Sequence, residues 1–430
     1  MTGSDGAAAS RSDRVPAPEA ARDVRLLFGA RTIRLFGYGG LAVVLALYLA
    51  ELGLDEARIG LLLALTLAGD AVISLWLTTR ADRYGRRLTL RVGAGLMIAA
   101  AVVFAVSGDF VVLLAAAIVG VLSPSGNEVG PFLPVEQAAL SEVIHGSRRT
   151  TVFAWYQLAG SLATATGSLA AGLAVQVLQD RGVVALDSYR AVLIAYAIVG
   201  IALLVIVSRV SPRIETAAPA DPSIRRRLGL HGSQRIVAQL SALFALDAFG
   251  GGFVVQSIVA LWFHLRWGVE PALLGAIFFG ANALAGLSGL VAARLAARFG
   301  LIATMVGTHL PSNVLLILVP LMPSVESAIA VLLARFAISQ MDVPTRQSYT
   351  MAVVHPDERS AAAGLTGMAR SAGAAVAPAI AVPMLAIPFL AGGLPFVIAG
   401  GLKIVYDIAL WRRFRALPTP EEQLTATRTS

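Results

Sequence analysis

Residues 80–87 read Arg80-Ala81-Asp82-Arg83-Tyr84-Gly85-Arg86-Arg87, a polar knot between two long apolar runs. Before it, positions 59–79 hold a single charge, Asp70; after it, positions 92–107 hold none. Each flanking run is long enough to cross about 30 Å of hydrocarbon. A short basic loop between two such runs is the turn of a transmembrane hairpin, with the arginines on the cytosolic side.

The rest of the chain has the same character. Hydrophobic residues make up 57%, charged residues 14%, and the mean hydropathy is +0.75. A soluble protein carries nearer a quarter charged residues. Apolar stretches of about 20 residues fall at 30–50, 57–79, 88–107, 110–143, 152–177, 189–208, 236–263, 272–293, 301–321, 326–354, 360–386 and 391–411. These predict an all-α polytopic membrane protein with twelve transmembrane helices. The expected division is a tail at 1–29, a six-helix bundle at 30–208, a polar linker at 209–235, a second bundle at 236–412 and a tail at 413–430.

The net charge of +8 is distributed by topology and gives no support to nucleic-acid binding. Arg11, Arg14, Arg22 and Arg25, the knot, Arg148 and Arg149, the run Arg225 to Arg227, Arg294 and Arg298, Arg359, and Arg412, Arg413 and Arg415 all fall on one side. The other loops hold scattered Arg58, Arg181, Arg190 and Arg266. This is the positive-inside pattern with both termini cytosolic. The first 24 residues lack an apolar core and read as a disordered tail, with no signal peptide. The chain has no cysteine, which excludes disulfides and thiolate metal ligands. The histidines His145, His231, His264, His309 and His355 are scattered, and no phosphate loop, serine elbow or Walker motif occurs. An enzyme, a metal site, a cofactor and ATP-driven transport are therefore not expected.

The two halves repeat each other. At an offset of 215, Gly53, Ala57, Gly60, Ala81, Arg83 and Gly85 fall on Gly268, Ala272, Gly275, Ala296, Arg298 and Gly300. At an offset of 210, Pro134, Gln137, Val143, His145, Arg149, Ala159 and Ser161 fall on Pro344, Gln347, Val353, His355, Arg359, Ala369 and Ser371. The knot resembles the loop between helices 2 and 3 of the major facilitator superfamily, Gly-x-x-x-Asp-Arg-x-Gly-Arg-Arg, with Thr78 in place of the first glycine. The resemblance, over about 30–412, implies two six-helix bundles with a substrate site between them near mid-membrane. It also implies that Asp82, Arg83, Gly85, Arg86 and Arg87 form a cytosolic gate, latching the halves when the protein opens outward. Ala297 replaces the aspartate in the second copy.

Alignment of the halves exposes nine extra residues in the first, around Ser123-Pro124-Ser125-Gly126-Asn127-Glu128-Val129-Gly130-Pro131. Prolines and glycines at this density do not propagate a helix. Either the stretch is a broken helix lining the path, with Asn127 and Glu128 as ligand groups, or it lengthens span 4 into an outer loop and leaves Glu128 in water. Irregular backbone at membrane depth is tolerated only against protein or a wet cavity.

Charges inside the spans are costly, about 2.5–3.5 kcal/mol or more each at the centre, and so mark function. Asp70, Glu136, Asp342, Arg346 and Arg370 are expected at mid-depth. With Asn127 and Glu128 they form the expected substrate and proton pathway. Glu136 and Arg346 occupy equivalent repeat positions and are expected to meet across the cavity; in the resembled fold Asp70 and Arg370 are neighbours and form a second pair. Lys403 and Asp407, four apart on one helix face, are expected to pair, and Arg34 and Asp247 to snorkel toward the cytosol. Gly250, Gly251 and Gly252 predict a hinge or a close helix contact. Gly160, Gly167 and Gly172 resemble the glycine-rich motif of drug antiporters without its Gly-Pro pair, and serve equally as packing sites.

The reading is a secondary transporter acting by alternating access, expected to be a monomer and to be driven by protons. Efflux of a small organic compound is placed first, and uptake of a metabolite or organic anion, held by Arg346 and Arg370, second. A non-transporting membrane sensor is a minor alternative. Arginine-rich composition with one lysine, Lys403, points to the cytoplasmic membrane of a bacterium.

Overall fold

Ala, Leu, Val and Ile runs in lipid have no water for their backbone groups, and a helix satisfies those groups internally. A computed structural model describes residues 18–143, 148–215, 232–355 and 358–415. Among them there is no strand; eleven helices are long and apolar enough to cross a membrane, and a twelfth, Phe110–Val119, is shorter. The first half comprises α1 (Pro18–Glu51), α2 (Glu56–Tyr84), α3 (Arg86–Val106), α4 (Phe110–Val119), α5 (Phe132–Val143), α6 (Arg148–Asp180) and α7 (Ala185–Ser208). The second comprises α8 (Gln234–Gly252), α9 (Gln256–Trp267), α10 (Pro271–Phe299), α11 (Leu301–Leu318), α12 (Val325–Ser339), α13 (Asp342–Ala352), α14 (Arg359–Met384) and α15 (Leu394–Phe414).

The knot turns on a single residue. Gly85, at φ 102° and ψ 132°, ends α2 and starts α3; its repeat partner Gly300, at φ 85° and ψ 162°, does the same between α10 and α11. Both positive φ values favour glycine, so the faded copy preserves the turn although its aspartate is gone. The Glu215 carboxylate accepts from the backbone N–H groups of Arg86 at 2.6 Å and Arg87 at 3.1 Å, capping α3 with a negative charge. The Arg86 guanidinium donates to the Ile214 carbonyl. The side chains of Asp82 and Arg83 lie outside the described residues.

Two expected boundaries are corrected. The tail at 1–29 gives way to helix from Pro18, because Asp23 accepts from both the backbone N–H and the hydroxyl of Ser211 and so anchors the first turns. The second bundle is helical to Phe414, beyond the expected end at 412. Residues 1–17, 144–147, 216–231, 356–357 and 416–430 lie outside the described residues, and with them Arg225 to Arg227 and His145.

Span 4 is broken. The backbone is non-helical between Val119 and Phe132, and Glu128 is not in water: its side chain is 16% exposed and salt-bridged to Arg31 and Arg34. Spans 7 and 10, read as continuous from sequence, are also interrupted. α8 stops at Gly252 and α9 starts at Gln256; α12 stops at Ser339 and α13 starts at Asp342.

The halves are joined away from the face that carries the chain termini. A Cβ on Gly60 would fall 2.7 Å from the Pro378 carbonyl, and one on Gly172 would fall 2.3 Å from the Pro271 carbonyl. Here the broken segments of spans 4 and 7 touch: the Ser257 backbone N–H donates to the Pro124 carbonyl at 3.0 Å, and the Ser257 hydroxyl lies 2.8 Å from the carbonyls of Pro124 and Ala42. Gln256 donates to the Gly39 carbonyl and to Ser168. Toward the terminal face, Gly289, Gly364 and Gly367 adjoin open space, and Leu365, Met368 and Leu290 are exposed. The contacts between the halves described above thus lie away from that side.

Candidate functional site

Two buried ion networks flank the cleft, one in each half. In the first, Arg34 is fully buried and donates to both oxygens of Glu136, at 2.6 and 2.8 Å, and to Glu128 at 3.1 Å. Arg31 reaches Glu128 at 2.7 Å and Gln157 at 2.9 Å, and Tyr156 donates to Glu136 at 2.5 Å. The guanidinium of Arg34 stacks on Phe132, 4.4 Å from its centroid, and that of Arg31 on Tyr156. Two guanidinium forks against two carboxylates satisfy one another in a place where one unpaired charge would be costly.

In the second network one carboxylate, Asp247, gathers three cations. Lys403 lies at 2.6 Å, Arg370 at 3.1 Å and Arg346 at 3.3 Å, with Arg346 also 2.8 Å from Asp342. His309 bridges carboxylates, its Nε2 3.6 Å from Asp247 and its Nδ1 2.8 Å from Asp407. Asn313 donates to the other oxygen of Asp407.

The networks are copies with their signs exchanged. At an offset of 213, Phe36, Gly37 and Gly39 fall on Phe249, Gly250 and Gly252, and Arg34 falls on Asp247. Glu136 and Arg346 are already repeat partners. Arg34–Glu136 and Asp247–Arg346 are thus the same contact, span 1 to 4 and span 7 to 10, with cation and anion swapped. Arg370 corresponds to Gly160, where a Cβ would fall 2.6 Å from Nε of Arg31; the first half leaves room at this place for an arginine arriving from another helix.

Four expectations are corrected by this geometry. Glu136 and Arg346 are each bonded within their own half. Asp70 and Arg370 do not pair: Asp70 accepts from the Gly130 N–H at 2.6 Å and from Ser74 at 3.2 Å, while Arg370 binds Asp247. Lys403 and Asp407 share a helix but bond elsewhere, Lys403 to Asp247 on α8 at 2.6 Å and Asp407 to His309 and Asn313 on α11 at 2.8 and 2.9 Å. Arg34 and Asp247 do not snorkel; each is the centre of its network.

Asn127 is exposed, its carbonyl accepting from Ser123 at 2.7 Å. The Gly250 to Gly252 run ends α8 and admits neighbours closely: a Cβ on Gly252 would fall 2.5 Å from the Ala374 carbonyl, and one on Gly250 would fall 3.1 Å from the Lys403 side chain. The sequence reading passed over Arg31, Tyr156, His309, Asn313 and Arg335. Spacing would have flagged two pairs, Arg31 with Arg34 and His309 with Asn313, each on one helix face.

A family model of the Major Facilitator Superfamily matches residues 27–378. The chain belongs to the major facilitator superfamily. Among relatives of this superfamily member is an uncharacterised membrane protein of Saccharomyces cerevisiae, YJR124C, 29% identical over 421 residues that cover 91% of this chain and 94% of that one. Solved structures share the fold at low identity. A bacterial homologue of the human lysosomal transporter Spinster, inward-facing and unoccupied, aligns with TM-score 0.70 at 16% identity, covering 94% of this chain and all 100% of that one. A mutant of the nucleoside transporter NupG aligns at 0.73 and 12% identity over 91% and 100% of the two chains, and a D-xylose-proton symporter at 0.71 and 14% over 90% and 97%. A major facilitator chain with this architecture is a multi-pass membrane transporter and not an enzyme.

Proposed function

We propose that this transporter is proton-coupled and moves a small organic compound through the cleft by rocking its two halves. The observation that carries the coupling is Asp70. It lies midway along α2, and its carboxylate holds the Gly130 N–H at the end of the broken stretch of span 4, with Ser74 as its other partner. Both donors are neutral, so the charge is held without a cation. A proton taken up here removes that charge and loosens the tie to the irregular segment, linking protonation to the shape of the path. With the terminal face cytosolic, as the arginine pattern implies, the cleft is open inward, and the knot is the latch of the opposite state. The Gly250 to Gly252 break and the irregular span 4 are the flexing points.

The sequence put efflux first. The span-5 glycines that resemble the antiporter motif have packing tasks: a Cβ on Gly167 would fall 1.9 Å from the Phe36 carbonyl and one on Gly172 would meet Pro271. The cations around Asp247 favour the second reading, uptake of a metabolite or organic anion. The arginine-rich composition supports a bacterial cytoplasmic membrane, and the yeast relative supports a eukaryotic one.

The test uses purified protein in vesicles loaded with a pH-sensitive dye and challenged with candidate solutes. Addition of a transported solute moves protons in the wild type; Asp70→Asn keeps solute exchange and loses proton movement. Wild-type vesicles that exchange a solute with no change in internal pH refute the coupling.

A further inference from the structure

Arg266 is the next-to-last residue of α9, where span 7 reaches the face opposite the chain termini. Arginine is scarce on that face, and among the described residues this one pairs with no carboxylate. Its Nη1 donates to the carbonyls of Pro320 at 2.7 Å and Leu390 at 3.2 Å, and its Nη2 to that of Met322 at 3.3 Å. The cation lies 4.4 Å from the ring centroid of Trp267 and 5.3 Å from that of Trp262. The two carbonyls fill Nη1. The Nε–H and one N–H of Nη2 make no hydrogen bond among the described residues, which leaves part of the planar fork to a ligand.

The turn that receives Arg266 is strained. Leu390 and Ala391 take φ of 52° and 48°, a left-handed region that is costly for a residue with a Cβ. Arg266 holds the Leu390 carbonyl and the Trp262 indole N–H donates to that of Ala391 at 3.2 Å. Backbone held in this way is found at ligand clamps. Beside the turn lies a cavity of about 300 Å³, lined among others by Trp262, Leu265, Arg266, Leu385, Ile387 and Ala391. Among the described residues Arg266 is the one charged side chain in that lining. Its depth is that of lipid headgroups: span 7 ends at Trp267, span 11 ends at Met384, and the turn follows directly. Tryptophan belongs to this boundary, and the lining residues Leu265 and Ile387 are exposed beside it, as is Phe389.

We propose that this cavity binds a phospholipid of the leaflet opposite the chain termini, with its phosphate on Arg266 and its first methylenes over Leu265 and Ile387. A guanidinium fork matches phosphate oxygens, and the phosphate supplies the counter-charge that no described side chain gives. The exposed apolar rim selects a lipid over a water-soluble phosphate, since only the lipid has chains to lay on it. Arg266 already ties α9 to the turns at 319–322 and 389–392. A bound phosphate adds to that tie and holds the end of span 7 in place. The site is separate from Asp70 and from both ion networks, so it stands or falls independently of proton coupling.

The experiment is a set of thermal melts of the full-length protein, purified in a maltoside detergent and stripped of lipid. The additions are phosphatidylglycerol, diacylglycerol with the same chains, glycerol 3-phosphate and inorganic phosphate. A ligand of the folded state raises the melting midpoint according to its occupancy. Phosphatidylglycerol is expected to raise the midpoint by several degrees more than diacylglycerol, and the two soluble phosphates to leave it unchanged. Ala386 is exposed and lines the cavity, so Ala386→Trp fills the space from its rim and leaves Arg266 with its carbonyls. That variant is expected to abolish the difference between the two lipids. Arg266→Gln is expected to abolish it as well, with a lower unliganded melt because the turn carbonyls lose their donor; where it does not fold, Ala386→Trp decides. An undiminished difference in Ala386→Trp, or in folded Arg266→Gln, overturns the site, as does diacylglycerol that stabilises the wild type as well as phosphatidylglycerol. A gain from glycerol 3-phosphate or inorganic phosphate equal to that from the lipid overturns the lipid as occupant.

Discussion

Replacing Asp247 by asparagine tests a network in which three cations converge on one carboxylate against one in which Arg34 is shared by two. The substitution keeps the shape and removes the charge that faces Lys403 at 2.6 Å, Arg370 at 3.1 Å and Arg346 at 3.3 Å. A unit-charge pair at about 4 Å is worth about 4 kcal/mol at an effective dielectric of about 20. The three terms do not add, because the cations repel one another and Arg346 retains Asp342. Breaking a buried pair costs about 3–5 kcal/mol, and Asp247→Asn is expected at the upper end. Glu136→Gln is expected to cost less, about 1–3 kcal/mol, because Arg34 still has Glu128 at 3.1 Å. The double variant Asp247→Asn/Arg370→Gln removes one stranded cation and should regain about 1 kcal/mol over Asp247→Asn alone. Thermal and denaturant melts in detergent read the order. Glu136→Gln equal to or worse than Asp247→Asn would refute the shared-anion reasoning, and a double variant no better than the single would show that Arg370 is not held by Asp247.

Other substitutions check separate links. Gly39→Ala drives a methyl to 2.1 Å from the Thr164 carbonyl, so α1 and α6 must separate; a loss of about 1–3 kcal/mol is expected, read as a lower melting midpoint. Gly364→Ala faces open space and should be neutral or gain up to about 1 kcal/mol from helix propensity; a large loss there would mean that the cleft is closed at that level. Glu215→Gln removes the charge over the start of α3 and should cost about 0.3–1 kcal/mol, less at high salt; an effect independent of salt would assign the contact to hydrogen bonding alone. Asp70→Asn keeps an acceptor for the Gly130 N–H and should melt like the wild type; a collapse of the fold would make Asp70 a structural residue.

The fold was legible because its signals are local or periodic. The knot, the apolar run lengths, the arginine alternation and the two offsets each depend on few residues, and the expected spans match the helices to within a few positions apart from the early start of α1. The broken span 4 was legible from Pro124, Gly126, Gly130 and Pro131. The ion partners were not. Which charges meet depends on how each helix is rotated about its own axis, and single-sequence spacing does not report that rotation. Glu136 and Arg346 are repeat partners of opposite sign, which from sequence suggests a pair across the pseudo-twofold. Their partners instead come from spans 1 and 7: Arg34 and Asp247 lie near span ends in the sequence, and only the packing of neighbouring helices makes them the centres of the networks. The interruption of span 7 falls directly after Gly250 to Gly252, which the sequence marks as a hinge or close contact, whereas that of span 10 escapes because Gln340 and Met341 are too mild a disturbance to read beside ordinary helix.

The contact between the two broken segments bears on how the far side opens. The Ser257 N–H and the Pro124 carbonyl, each freed by a helix break, satisfy one another across the halves. Rocking the halves to the opposite state parts them, and each group must then find another partner. Water is the available one. Parting these two segments is therefore a hydration event as well as a rotation, and its equilibrium depends on the chemical potential of water: concentrated sugars or polyols, by withdrawing it, are expected to favour the form in which the two segments touch.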